Sequence, residues 1–407
     1  MPARGLRTLN SPETTSSSQV SPGNGSHDVV VVGGGVIGLA CAWRLAEAGL
    51  QVRLFERDTV GSGASNVAAG MLAPVGEATW GEERLLAMGL DSHHRWGTFA
   101  EELVAASGIT DIGYLQLGAL HVGMDRDEVE ELERRFDLMR ELDLAAEWVT
   151  PSRARDIEPG LGPSAGAGFF AAHEAAVDPR QLTAALAVAA RNAGATITEH
   201  VEVAGVLTGA DGRLTGVRSA DGTEHSASIV LLAGGAWSAA DWLPETVRPP
   251  VRPVKGEILT LKERLGEPVC SHIVVSERVY MVPRTDGRLV IGATVEERGF
   301  DSEVTAGGVL ELLREGYRAL PDIFEMELVE TTAGFRPGSP DNMPLIGASE
   351  SLPGLHFATG HYRNGILLTP FTADTVAAQI TGGEVPEEAG PANPERFNTA
   401  TTGKVES

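Results

Sequence analysis

The chain has 407 residues, 42% hydrophobic and 22% charged, the balance of a soluble globular protein too long for one compact core. Its 56 Asp and Glu against 32 Lys and Arg leave a formal charge of −24, so nucleic acid and anionic membranes are excluded as main partners, because both repel an acidic surface. A small anionic or zwitterionic ligand is not excluded, since it needs only a local arginine.

Residues 1–26 are rich in Ser, Thr, Pro, Asn and Gly and read as a disordered tail. They lack the apolar stretch of a secretory signal, and Arg4 and Arg7 give only a faint likeness to a transit peptide. Order begins at His27. Asp28 to Val32 is an apolar run headed by one acid, the pattern of a strand buried on both faces. After Gly33-Gly34-Gly35, apolar residues recur at helical spacing until the cap at Gly49. A second run, Val52 to Phe55, ends in Glu56 and completes a βαβ unit. The spacing predicts amphipathic helices from Glu82 to about Ser107 and from Arg126 to Leu144. A third helix spans Pro179 to Gly194, with Asp178 as its N-cap. Val201–Leu207, Leu214–Ser219 and Thr223–Leu232, separated by Asp-Gly turns, predict a β-meander. A hairpin follows at Val279–Arg284 and Arg288–Val295, then helices at Thr305–Leu320 and Thr369–Ile380. The polar, Pro-rich stretch after Gly382 reads as frayed.

The chemistry begins at Gly33-x-Gly35-x-x-Gly38, between a strand and a helix. The first glycine permits the tight turn, the second lets a pyrophosphate approach the backbone, and the third lets helix and strand pack closely. The helix N-terminus offers free N–H groups to phosphate, and Glu56 stands where a carboxylate accepts from a ribose diol. This motif alone does not choose between FAD and NAD. Gly61 to Pro74, dominated by small residues, lets backbone lie against a large flat ligand. Ile229 to Ser238, through Ala233 and Gly234, is another strand-to-glycine transition. Gly360 to Pro370 leads from a strand into a helix whose N-terminus suits the electron-rich side of a reduced ring. No HxxxH or HxH spacing is present, so no metal site is expected. Two cysteines, Cys41 and Cys270, make neither a disulfide framework nor a CxxC pair, and a cytoplasmic location is expected.

Taken together these stretches resemble the D-amino-acid oxidase superfamily of flavoproteins, most closely its glycine oxidases of thiamine-thiazole biosynthesis. The matching segments begin at Val31, Ala68, Pro253 (Pro-Val-Lys-Gly-Glu), Tyr280 (Tyr-Met-Val-Pro-Arg), Gly334 (Gly-Phe-Arg-Pro-Gly-Ser-Pro-Asp) and His361 (His-Tyr-Arg-Asn-Gly-Ile-Leu-Leu), and the likeness runs from about residue 27 to 382. It implies an α/β fold in which a Rossmann-like FAD-binding domain, a parallel sheet plus a β-meander, is interleaved with an α+β substrate domain on a mixed or antiparallel sheet. The expected FAD-binding stretches are 27–75, 153–250 and 338–382, the substrate-binding stretches 76–152 and 251–337, and the polar tail 383–407. The resemblance assigns Gly33, Gly35, Val36, Ile37, Gly38, Glu56, Ala64, Ser65, Ala69, Gly70, Met71, Val203, Ala233 and Gly234 to FAD. It sets His361, Tyr362, Arg363, Asn364, Gly365, Ile366 and Leu367 beside the flavin ring. Arg336 matches the family's carboxylate-binding arginine, Tyr280 the tyrosine that assists it, and Arg363 a further substrate-side arginine.

Read physically, the Arg336 guanidinium is a planar fork that fits a carboxylate, although an internal salt bridge would satisfy it equally. Tyr280 faces opposite to Val279 and Met281 on a strand and is either a carboxylate donor or an ordinary half-buried tyrosine. Arg363 either binds substrate or holds its own loop. The activity implied is FAD-dependent oxidation of glycine, sarcosine or small D-amino acids by dioxygen, giving an oxo acid (glyoxylate from glycine), ammonia and hydrogen peroxide. No residue stands out as the base for the substrate amine. With no cysteine between Gly334 and Asp341, FAD attachment is expected to be noncovalent. A homotetramer is implied by resemblance. The alternatives are a sarcosine-type secondary-amine oxidase, a D-amino-acid dehydrogenase, and a noncatalytic flavin-binding subunit of a larger complex.

Overall fold

The structure, a computed structural model, describes residues 27–264 and 268–397. The tail expected at residues 1–26 lies outside the described residues, as do residues 398–407. The first sheet has eight strands. Its parallel part runs Thr196–Thr198, Val52–Phe55, His27–Val32, Glu224–Leu232 and Leu355–Thr359, with Leu345–Ala348 antiparallel at the far edge. Glu224–Leu232 also closes the antiparallel meander with Val203–Thr208 and Leu214–Ser219. Buried valines at positions 29, 30 and 31 explain why this first strand reads as a continuous apolar run: helices cover one face and the meander side covers the other.

Helices Val36–Glu47, Pro179–Asn192 and Thr369–Thr381 share one core with the sheet, built on Leu39, Trp43, Leu186 and Phe371. The 25-residue helix Glu83–Ser107 joins that same core through Met88, Trp96, Phe99 and Leu103. This corrects the assignment of residues 76–152 as a whole to the substrate side. Helical spacing shows that a face is buried but does not say against which layer.

The second sheet also has eight strands, in the order Glu327–Gly338, Arg252–Lys262, Arg288–Gly292, Tyr280–Pro283, Ile273–Val275, Ala119–Val122, Gly168–Ala171, Glu147–Val149. It is mixed: Ile273–Val275 pairs parallel with Ala119–Val122 and the other neighbours are antiparallel. Gly168–Ala171 pairs here, and Ala154, Leu161 and Ala165 pack in the core beneath it, so residues 153–171 belong with this sheet rather than with the first one. The C-terminal stretch is likewise ordered as far as it is described. Glu387–Ala392 and Pro394–Phe397 are short 3-10 turns, Ala389 and Ala392 enter the first core, and Arg396 pairs with Asp341 at 2.8 Å. Such turns have no apolar period, which is why the stretch reads as frayed.

The Asp178 cap forms as expected, accepting from the N–H groups of Arg180 and Gln181 at 2.9 and 3.4 Å. The same carboxylate accepts from Arg288 at 2.7 Å and faces the buried Arg284, which donates to the Ala69 carbonyl at 2.5 Å. Burial pushes the Asp178 carboxyl up, but the charges of Arg284 and Arg288 more than offset this and hold it below its usual value. Its contribution is therefore complete above the unfolded value of about 4 and disappears as pH falls through the lower folded value. Asp178→Asn should accordingly melt lower than the parent at neutral pH by a constant margin, and that margin should shrink below about pH 4 in thermal scans. A margin that does not change with acid would show that the carboxylate charge is not what stabilises this corner.

Candidate active site

The two sheets enclose a cavity of about 1940 Å³, ample for a dinucleotide together with a small substrate. Of the residues expected to bind cofactor or substrate, all but Gly38 line it. Gly38 sits one step behind, where a β-carbon would lie 2.0 Å from the Gly33 carbonyl oxygen. Its role is to let the helix approach the turn, not to touch a ligand. Gly33 itself has φ +111°, which only glycine adopts without strain.

Helix Val36–Glu47 begins with Gly35, which has no capping side chain. Ser65, from the short helix Ala64–Val67, accepts from the Val36 N–H at 3.1 Å instead. Glu56 accepts from Gly34 N–H at 2.7 Å and from Asp58 N–H at 2.9 Å, so its carboxylate is held at the edge of the glycine turn. This cradle fits a dinucleotide pyrophosphate and ribose: a close backbone, a helix start whose N-cap is a glycine, and an acid where the diol would lie.

At the other end of the cavity the two longest strands, Arg252–Lys262 and Glu327–Gly338, run antiparallel with Arg336 opposite Val254. Arg336 lies within its strand, and its Nη1 donates to the carbonyls of Lys255 and Thr294 at 3.3 and 3.1 Å. Gly256 gives the guanidinium its place, because a β-carbon there would lie 2.3 Å from Nη1. In the Lys-Gly-Glu run the flanking side chains point away. Lys255 and Glu257 form a fully buried ion pair at 3.0 Å on the opposite face.

Tyr280 follows the alternation expected of it. Val279 and Met281 are buried in the second core while Tyr280 turns to the cavity. Burial pushes its phenol up despite the nearby Arg336 charge, so it remains a hydrogen-bond donor at neutral pH. The loop after Leu355–Thr359 is fastened on both sides. Tyr362 N–H donates to the Pro337 carbonyl at 2.9 Å, and the Leu367 carbonyl accepts from Ser92 and Trp96 at 2.6 and 2.8 Å. His361 is buried, bonded to Thr372 at 3.0 Å, and pushed down to about 3 by burial, so it is a neutral tether.

Arg363 opens onto the cavity with its guanidinium 5.3 Å from the Tyr362 ring. Among the described residues it makes no backbone-directed hydrogen bond that would hold the loop, and neither it nor Arg336 forms an ion pair. In a chain with 56 carboxylates, two cavity arginines without a carboxylate partner leave positive charge to be met by a ligand. Arg336 beside Tyr280 offers a fork and a hydroxyl to one carboxylate group. Among the described residues no group of three or more His, Cys, Asp or Glu is placed to hold a metal ion, and no helix is long and apolar enough to cross a membrane.

Sequence reasoning passed over Glu77, which also lines this cavity, and the buried pair His121 and Glu174 behind it. Glu77 does carry a signal, as an isolated acid just after the small-residue stretch that ends at Pro74. His121 and Glu174 carry none, since they stand on separate strand and turn segments of unremarkable composition.

Such a site joins a glycine-turn cradle of the dinucleotide-binding kind to a pocket where Arg336 and Tyr280 stand together, the layout of a dinucleotide-dependent enzyme. The family model described as FAD dependent oxidoreductase (DAO) matches residues 28–379, and the chain belongs to that family. It is 37% identical over 353 residues to a glycine oxidase of Geobacillus kaustophilus, covering 86% of this chain and 92% of that protein. It is 34% identical to the bifunctional protein ThiO/ThiG of a Synechocystis strain, over 93% of this chain but 55% of that protein. The crystal structure of the glycine oxidase from Geobacillus kaustophilus superposes with a TM-score of 0.85 at 34% identity, covering 92% of this chain and 99% of that one. The chain is thus an FAD-dependent oxidoreductase with the mixed α/β architecture of those enzymes.

Proposed function

We infer that this protein oxidises glycine, and with it small amines and D-amino acids such as sarcosine and D-alanine, to the imine that hydrolyses to an oxo acid and ammonia. The observation that carries this reading is the unpaired Arg336, set beside Tyr280 at the end of a cavity whose other end is a dinucleotide cradle. FAD, when bound, supplies the chemistry by accepting a hydride from Cα and delivering the electrons to dioxygen, which becomes hydrogen peroxide. The protein's own part is orientation. Arg336 and Tyr280 hold the carboxylate, Arg363 adds positive charge beside it, and the tethered loop from His361 to Leu367 walls the ring side. Gly33, Gly35, Val36, Ser65 and Glu56 would hold the pyrophosphate and ribose, with Gly38 acting behind them.

Noncovalent attachment is supported by the position of both cysteines: Cys41 and Cys270 are buried in the cores and neither lines the cavity. The relatives named glycine oxidase and ThiO/ThiG support glycine as substrate and the glycine imine as a precursor for thiamine-thiazole synthesis. A cytoplasmic homotetramer is the assembly that goes with this reading.

Anaerobic addition of glycine should bleach the flavin's visible absorbance, with sarcosine, D-alanine and D-proline compared in parallel. Admission of air should restore the colour and release peroxide. Absence of bleaching by all four would overturn the reading, and bleaching without peroxide would make the protein a dehydrogenase.

A further inference from the structure

An amino acid is bound as a zwitterion, and its ammonium must lose a proton before the hydride can leave Cα. Arg336, Tyr280 and Arg363 are all donors here and cannot take it. His361 is committed to Thr372, and Glu56 to the glycine turn.

Glu77 is placed differently. Its side chain opens onto the cavity, and among the described residues its carboxylate has no hydrogen bond or ion pair. The charges of Arg363, Arg135 and Arg336 nevertheless act on it, with Glu82 opposing them from its own segment. It thus lines the same cavity as the two substrate-side arginines, and among the described residues no hydrogen bond or ion pair closes it onto either one. A zwitterion with its carboxylate on Arg336 turns its nitrogen away from the guanidinium, towards such an acid.

The segment that carries Glu77 is fastened from behind. The neighbouring Gly76 donates its N–H to Glu174 at 2.5 Å, and its carbonyl accepts from Arg135. Glu174 is 2% exposed and its Oε2 has no partner. Burial, reinforced by the Glu77 charge, pushes it up to about 8, so it is a neutral acid at pH 7. His121, stacked on Phe169 at 4.4 Å with both ring nitrogens unpartnered, is pushed well below its usual value by burial and is neutral as well. Glu77 is the acid of this group on which the charges of Arg363, Arg135 and Arg336 all act. Burial also raises its own carboxyl, against the pull of the three arginines, which narrows the gap to an ammonium.

We propose that Glu77 is a catalytic residue that pairs with the substrate's ammonium group and takes its proton, while Glu174 and Arg135 act as positioning residues through Gly76. In the step an N–H bond of the ammonium breaks, the electron pair stays on nitrogen, and the proton forms an O–H bond on Glu77, leaving a neutral amine and a carboxylic acid. The proton later leaves to water through the cavity mouth. The proposal rests on the amine-oxidising reading above.

The test compares the flavin-loaded parent with Glu77→Gln and Glu77→Asp, each checked for equal flavin content. Glu77→Gln should lower kcat/KM for glycine about 100-fold near pH 7, and the deficit should shrink as pH rises and free amine becomes available in solution. Glu77→Asp should recover part of the rate. Acetate, a carboxylate without an amine, should perturb the bound flavin's visible spectrum in Glu77→Gln with an affinity equal to or tighter than in the parent. A Glu77→Gln enzyme within about 3-fold of the parent at every pH would overturn the proposal. Loss of acetate binding in step with activity would also overturn it, by showing a collapsed carboxylate seat. If the parent oxidises no amine, the functional reading itself has failed. If the parent oxidises amines and Glu77→Gln does so equally well, only this assignment has.

Discussion

Arg336→Ala should raise the KM for glycine by roughly 30-fold or more while flavin stays bound, because removing one partner of a desolvated charge pair costs about 2–5 kcal/mol. The reasoning is geometric. The guanidinium is held by two backbone carbonyls, Lys255 and Thr294, which fix its plane without neutralising it, and among the described residues no protein carboxylate forms an ion pair with it. A substrate carboxylate would complete it. Arg336→Lys should recover little, since a point charge on a flexible stem reproduces neither the fork nor the bonds that hold it. The dinucleotide cradle lies at the other end of the cavity, so flavin content measured by absorbance should not change. Steady-state kinetics equal to the parent's would remove Arg336 from the site.

The second large effect is on stability. Lys255→Met should destabilise the protein by about 3–5 kcal/mol, because it leaves Glu257 charged and buried without its partner. Both side chains are fully buried. Lys255 also donates to the Glu303 carbonyl at 2.5 Å, and Glu257 accepts from the Thr305 N–H at 3.0 Å, just where helix Ala306–Ala319 begins. The pair thus fastens the segment 303–305 to the strand that carries Gly256 and, across the ladder, Arg336. Urea denaturation followed by tryptophan fluorescence reads the loss. The double substitution Lys255→Met with Glu257→Leu should recover much of it, since two apolar side chains need no compensation. A single variant within about 1 kcal/mol of the parent would mean that solvent or another group already meets the Glu257 charge.

Much of the fold was legible because its signals are local. The glycine turn, the apolar first strand, the meander with its Asp-Gly turns and the Asp178-Pro179 helix start each follow from the conformational preferences of a few neighbouring residues. Partnership between layers was less legible. Helix Glu83–Ser107 and residues 153–171 show burial without showing a partner, and each packs against the layer opposite to the one expected. Residues 387–397 carry no period at all, yet they reach the first core through two alanines.

The same division holds within the site. Sequence by itself determined that a strongly acidic chain carries a dinucleotide turn and, far along, an arginine between Phe335 and Pro337, because those features depend on residue type and near neighbours. Only the tertiary structure decided that, among the described residues, this arginine has no carboxylate in an ion pair with it, that Gly256 makes its seat, and that Glu77 lines the same cavity with Glu174 neutral behind. Net charge is a sum over the chain, whereas pairing, desolvation and open space are set by groups brought together from distant positions. The acid proposed to meet the substrate's nitrogen therefore became visible only when the strands and loops that surround it were in place.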